Sequence, residues 1–364
     1  MISSGKKGSL ILSSFFFSVG WFSVAFSMPL LGVRYGFSST QIGALGFLMA
    51  FPFILFSYLM RNSRSDKFLK ILRYVPLVIT ACSLVFIISS PVFYVIGVAI
   101  ADLMQGLYWI VIEIYLGFVD IKKGAEKYSF SWGVPNFAIP LIMGFVIMDF
   151  GFRALFLISA ISCIVAFVTT PTVHFPRVQV ENRKLQFMQI IPVMFVGVSA
   201  GFLYYVVIPY LKVSGLAYNY IGILASIPAL VMATGFLFLI TMKEVGIRKV
   251  AMISSILLSF PLLFVVFHSA LDIAIISVVT GIGSSIAFSK ILSYITGSSS
   301  PSYGVFYFES LFGAGFIVGS LIGGFLFGVF GFYACALLFV LPIMYSIRVY
   351  VTGYFRRESS SFPP

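Results

Sequence analysis

Between Lys7 and Arg34 the chain carries no charged residue. The part of this stretch that begins at Ser9 and ends at Leu31 is long enough, at about 1.5 Å per residue, to cross the roughly 30 Å hydrocarbon core of a bilayer as a helix. Eleven further apolar runs follow it. In the first half they are Ser39–Met60, Tyr74–Ser89, Val92–Val119, Tyr128–Met148 and Phe152–Thr170. In the second they are Phe187–Leu211, Asn219–Met242, Val250–Phe267, Leu271–Ile295, Val305–Phe327 and Phe332–Val351. None has the two-residue alternation or the roughly ten-residue length of a barrel strand, and helices are the other structure that satisfies its own backbone in lipid. The expected fold is an all-α membrane protein of twelve transmembrane helices.

With 60% hydrophobic and 9% charged residues, a soluble globular domain is excluded. The net charge of +12 could suggest nucleic acid, yet the 23 Lys and Arg residues cluster in alternate loops. With the N-terminus inside, only Arg34, Arg153 and Lys212 fall on the outer side. The positive-inside rule then predicts a multi-pass protein of the plasma or cytoplasmic membrane with both termini cytoplasmic. The lipid bilayer is the expected partner, and no nucleic acid is. The first run is too long for a signal-peptide core and lacks a small-residue exit, so it reads as the first span. Cys82, Cys163 and Cys335 lie far apart within spans and read as buried thiols, while His174 and His268 stand alone. No metal and no cofactor is expected.

The chain repeats itself. MPLLGVRYGFSSTQIG, from Met28, and IPYLKVSGLAYNYIG, from Ile208, share a helix-end proline, a loop glycine and a glycine seven residues later. Pro29 and Pro209 are offset by 180 residues, Gly36 and Gly215 by 179, and Gly43 and Gly222 by 179. GFRALFLI from Gly151 and GFYACALL from Gly331 correspond at 180, as do Gly133 with Gly313 and Gly144 with Gly324. Six spans return the chain to its starting side, so the repeat implies two parallel six-helix bundles related by an axis along the membrane normal. Residues 1–170 would form the first, 187–364 the second, and 171–186, the one long polar stretch, a cytoplasmic linker.

Twelve spans in a six-plus-six repeat, with GFR opening the sixth, resemble the major facilitator superfamily over essentially the whole chain. The loop after the second span resembles the family's Gly-x-x-x-Asp-Arg-x-Gly-Arg. Here it reads NSRSDKFLK, with Asp66, Lys67 and Lys70 matching in type and Asn62 and Leu69 replacing the glycines. The resemblance implies a pseudo-symmetric carrier whose halves rock about a central site, and a gating role for Asp66. It also implies that the first, fourth, seventh and tenth helices line the cavity.

Ionisable groups within spans are costly unless they pair, protonate or face a cavity. On the fourth span Asp102, Trp109, Glu113 and Asp120 fall along one helical line, flanked by Gln105 and Gly106. Asp102 sits near the predicted midplane. It reads either as a protonatable carboxylate that loads and releases a coupling proton, or as a structural aspartate tying its helix to a neighbour. Glu113 lies nearer the cytoplasm, and the repeat offset places it opposite the region of Lys290, a cation deep in the tenth span. A Glu113–Lys290–Glu309 cluster could latch the halves; the alternative is a local Lys290–Glu309 pair. Trp21, Gln105, Trp109, Trp132, Asn136, Tyr204 and Tyr205 are the candidate cavity residues. They suit an amphipathic or aromatic organic solute, although any one of these aromatics could serve packing alone. Gly315, Gly319 and Gly323, like Gly197 and Gly201, are spaced for close helix contact within one molecule.

The resulting expectation is a monomeric permease for a small organic solute. It works as a secondary active transporter by alternating access, with protons as coupling ions. The alternatives are an uncoupled facilitator and, more remotely, a membrane enzyme. No G-x-x-x-x-G-K-[ST] loop occurs, which excludes an ATP-driven pump built from this chain alone.

Overall fold

The computed structural model describes residues 4–61, 72–88, 90–119, 123–170, 187–241, 245–296 and 301–359; at 113–119, 123–130 and several helix ends only the backbone is described. All regular structure in these residues is helical. α1 is Ser4–Arg34, α2 Ser39–Arg61, α3 Val75–Phe86, α4 Pro91–Val119 and α5 Lys123–Thr169. A single turn, α6 (Phe187–Ile190), precedes α7 (Pro192–Phe202) and α8 (Ile208–Val213). α9 is Tyr218–Thr241, α10 Ile247–Leu258, α11 Ala270–Thr296, α12 Pro301–Ile317, α13 Gly323–Phe330 and α14 Ala334–Ser359.

Nine stretches of the described residues are long and apolar enough to cross a membrane, and the shorter apolar α3 accompanies them. Two of the nine are far longer than a bilayer needs: Ser131–Thr169 has 39 residues and Gly304–Thr352 has 49. Each breaks where the sequence places a span boundary, at Gly151 (φ 77°) and at Gly331 (φ 58°). The length and number of these helices make the chain an integral, multi-pass membrane protein.

Gly151 and Gly331 are one repeat pair, and the other two left-handed glycines, Gly36 (φ 75°) and Gly215 (φ 89°), are another. A side chain at any of the four would meet no steric obstacle within 4 Å, so conformation is what requires glycine there. The repeat glycines at Gly43, Gly144, Gly222 and Gly324 are kept for the opposite reason. At each, a β-carbon would run into the backbone of a crossing helix.

Because lipid is as apolar as leucine, helices in a membrane associate through close packing and hydrogen bonds, with little hydrophobic drive. In the first half small hydroxyls supply the bonds. Ser13 Oγ donates to the Ala166 carbonyl at 3.0 Å and lies 2.6 Å from Thr170 Oγ1. Ser159 Oγ donates to the Gly20 carbonyl at 2.8 Å and contacts Ser83 Oγ at 2.9 Å. Together these bonds tie α1 and α3 to the second limb of α5. In the second half the glycine series interlock: Gly197 and Gly201 face the backbone of α12, whereas Gly315 and the neighbouring Gly319 face that of α7. All of these contacts are intramolecular, as the spacing suggested. Cys82, Cys163 and Cys335 are buried free thiols.

Candidate functional site

A cavity opens between the helices. It offers water-sized molecules about 200 Å³. α1 contributes Trp21, Phe22 and Phe26, α2 Met49 and Phe53, α4 Gln105 and Trp109, and α5 Trp132 and Asn136. From the other half come Ser199, Tyr204, Tyr205, Met232, Thr280, Phe288, Glu309 and Phe312. All seven candidate cavity residues lie on this one wall, and so do all three tryptophans of the chain.

Aromatic contacts join the halves across it. The Trp132 ring lies 5.8 Å from that of Phe236 and 5.4 Å from that of Phe288, and Phe53 meets Phe312 at 6.1 Å. Between α7 and α8 the helix loosens into a π-helical turn over Leu203–Val207. Tyr204 and Tyr205, both within this turn, border the cavity, and the sequence did not signal the turn. Nor did it signal the share of Pro261 and Phe264, which come from a 3₁₀ segment over Phe260–Val265.

The polar groups on the wall are few. Gln105 donates from Nε2 to the Met49 carbonyl at 2.9 Å, and its Oε1 has no hydrogen-bond partner among the described residues. Tyr205 directs its hydroxyl at two sulfurs, Met28 Sδ at 3.4 Å and Met49 Sδ at 3.3 Å. Glu309 is 4% exposed and, among the described residues, is the one charged residue lining the cavity.

Asp102 departs from the expected stripe. It is fully buried and does not reach the cavity wall, which on α4 is formed by Gln105 and Trp109. α2 packs over this part of α4, with Pro52 against Gly106 and Met49 on Gln105. A helical wheel cannot separate a face turned to a cavity from one covered by a neighbour. Neither carboxylate oxygen of Asp102 has a hydrogen-bond partner among the described residues.

Lys290 turns its Nζ to the Leu239 carbonyl at 2.7 Å, bridging α11 to α9. It is not on the cavity wall, whereas Glu309 is. Glu113 lies on α4 with its side chain outside the described residues, and Asp66 is outside them altogether. His268 stacks on Phe332 at 5.3 Å, a packing contact at a helix end.

Long apolar helices around one aromatic cavity walled from both ends of the chain define a polytopic helical membrane protein with a central, solute-sized chamber. No protein-family model and no curated protein matches the sequence. Solved structures match it in shape. The human organic anion transporter MFSD10 (TETRAN) superposes with a TM-score of 0.64 at 13% identity, over 95% of this chain and 100% of that one. The nucleoside transporter NupG superposes with a TM-score of 0.68 at 15% identity, over 95% of this chain and 98% of that one. A point mutant of NupG gives 0.64 at 15% identity, over 94% and 98%. Likeness at this level of identity shows the fold: the chain is folded as these proteins are.

Proposed function

We propose that the protein is a transporter, not an enzyme, and carries a small and largely apolar organic solute across the membrane by alternating access. The observation that carries this reading is the chamber itself, whose walls come from both members of the internal repeat, so that rocking one half against the other would expose it to either side in turn. The shared fold with an organic anion transporter and a nucleoside transporter supports it. The same reading takes residues 1–170 and 187–364 as two six-helix halves joined by 171–186. It counts twelve crossings by letting each of the two longest of the nine apolar stretches cross twice about its glycine break and the shorter α3 cross once, with both termini cytoplasmic.

A proton is the coupling ion in this reading, and Asp102 carries it. Two buried carboxylate oxygens without partners suit a group that takes up and gives back a proton, because an isolated charge there would cost several kcal/mol. Glu113 and Lys290 are read as gate residues and Asp66 as part of the cytoplasmic closure. The position of Asp102 off the cavity wall favours a second reading, an uncoupled facilitator in which this aspartate is structural.

The test is counterflow into liposomes holding the purified protein, using solutes selected by thermal shift. Exchange of labelled for unlabelled solute, abolished by filling the chamber with Ala200→Trp, is the expected result. Exchange that persists with the chamber filled would overturn the assignment.

A further inference from the structure

We propose that a second pocket, at one end of the first half's helices, holds the phosphate headgroup of an anionic phospholipid. This site stands apart from the chamber and does not depend on the transport reading. The charge pattern leaves three cations on the predicted outer side, Arg34, Arg153 and Lys212, where the positive-inside rule keeps few. The fold gathers all three. Arg34, at the end of α1, and Arg153, just after the Gly151 break in α5, line one pocket of about 280 Å³ together with Tyr35, Phe86, Phe150 and Phe156. The Arg34 guanidinium lies over the Phe152 ring at 5.7 Å, that ring stands 5.7 Å from the ring of Tyr218, and Lys212 Nζ sits 3.9 Å from the centre of the Tyr218 ring. Two arginines thus share the pocket, with the third cation one pair of rings away. Among the described residues no carboxylate lines it, and Asp149, the acid nearest to Arg153 in sequence, is exposed.

Charge and surface together select the ligand. A guanidinium is planar and permanently charged, and its parallel N–H groups match the oxygens of a phosphate. Two of them bordering one pocket favour an anion between them. The surface leading away from Arg153 makes that anion a lipid. Leu157, Ile161, Ile164 and Val168 follow Arg153 at helical spacing on one face of α5, and they are 45% to 72% exposed. From Arg153 to Val168 the helix rises about 22 Å, more than the roughly 15 Å of hydrocarbon in one leaflet. A phosphate held by the arginines would therefore lay its acyl chains along exposed apolar side chains. Phe150, on the pocket lining and 75% exposed, adds an apolar rim. A soluble phosphate would use the arginines and leave the stripe without a role.

The test places the full-length protein in phosphatidylcholine nanodiscs carrying a trace of phosphatidylglycerol with a photoreactive diazirine in one acyl chain. Labelled peptides are mapped by mass spectrometry, and phosphatidylcholine bearing the same photoreactive chain is the neutral reference. Labelling of residues 157–168 by the anionic lipid should exceed that by the reference at least tenfold, as two interfacial cations would give. Arg34→Gln with Arg153→Gln should abolish this preference. Arg248→Gln with Lys249→Gln, which removes two exposed cations at the start of α10, should leave it unchanged. Equal labelling by the two lipids overturns the proposal, as does a preference that survives the loss of Arg34 and Arg153 or disappears with Arg248 and Lys249. Displacement of the lipid label by glycerol 3-phosphate overturns it as well, because the ligand would then be a soluble phosphate. The two lipids compared on the unaltered protein, with the label mapped to 157–168, decide the matter even if a variant fails to fold.

Discussion

Gly324 crosses α2 so closely that a β-carbon on it would stand 3.2 Å from the α-carbon of Gly43 and 2.6 Å from the Ser39 carbonyl oxygen. The second crossing is its repeat image. A β-carbon on Gly222 would stand 3.0 Å from the α-carbon of Gly144, and Gly43 corresponds to Gly222 as Gly144 does to Gly324. Two pairs of helices, one from each half, thus meet backbone to backbone at the same end of the molecule. In the proposed alternating-access cycle such contact would close the chamber on that side, and it could part without breaking a side-chain bond.

Gly324→Leu should wedge the first crossing. Overpacking of this kind costs about 1–3 kcal/mol in the closed arrangement, enough to shift a two-state population by roughly 5- to 150-fold. Labelling of a single cysteine introduced at Ser199, on the chamber wall, should accelerate from the Gly324 side by a factor in that range. A fall in melting temperature with no faster labelling would mean that the crossing is merely structural.

Gly20→Val should be far more damaging, since a β-carbon there would overlap Cys163 Sγ and stand 3.0 Å from the Ser159 carbonyl oxygen. A loss of about 3 kcal/mol or more is expected, seen as poor yield and a lowered melting temperature in detergent. Gly246→Ala is the control, because nothing lies within 4 Å of its β-carbon position, and its melting temperature should match the wild type.

Asp102→Asn should leave the fold intact, because it removes a buried charge site and keeps the shape. The coupling reading expects the variant to catalyse counterflow at near wild-type rates while losing accumulation driven by a pH gradient. Full accumulation by the variant would assign Asp102 to structure and favour the facilitator.

Reversing either Glu113 or Lys290 should impair transport at least tenfold, and exchanging the two charges should restore a measurable part of it, if they pair during the cycle. A swap no better than the singles would leave Lys290 with its present partner, the Leu239 carbonyl, as the sufficient explanation of its place.

The all-helical, multi-pass character and the paired glycines were legible because both are written in spacing. Hydrophobic length sets the helices, and glycine marks the two kinds of site where a side chain cannot stand: the left-handed turns at Gly36, Gly151, Gly215 and Gly331, and the backbone crossings such as Gly43. Trp21, Gln105, Trp109, Tyr204 and Tyr205 border the cavity from helices that the family resemblance turns inward, and Trp132 and Asn136 border it from the fifth span, which it does not. The place of Asp102 was not legible. Its wheel position is close to that of Trp109, and only the packing of α2 over α4 decides that Trp109 meets the cavity while Asp102 is enclosed. Glu309, expected as a gate residue beside Lys290, lines the cavity wall, a place that depth along its helix did not indicate. The π-helical turn that holds Tyr204 and Tyr205 has no sequence signature at all.

Alternating access is tested most directly without any solute. In a background free of native cysteines, a cysteine introduced at Ser199 is exposed in oriented vesicles to a membrane-impermeant maleimide from each side separately, with Ser39→Cys and Gly328→Cys, whose β-carbons would lie 3.9 Å apart, present together and either reduced or cross-linked. Labelling from both sides in the reduced state, and from only the side opposite the cross-link once it forms, is the result expected of a chamber that opens alternately. Labelling from a single side in the reduced state, or labelling indifferent to the cross-link, would contradict it.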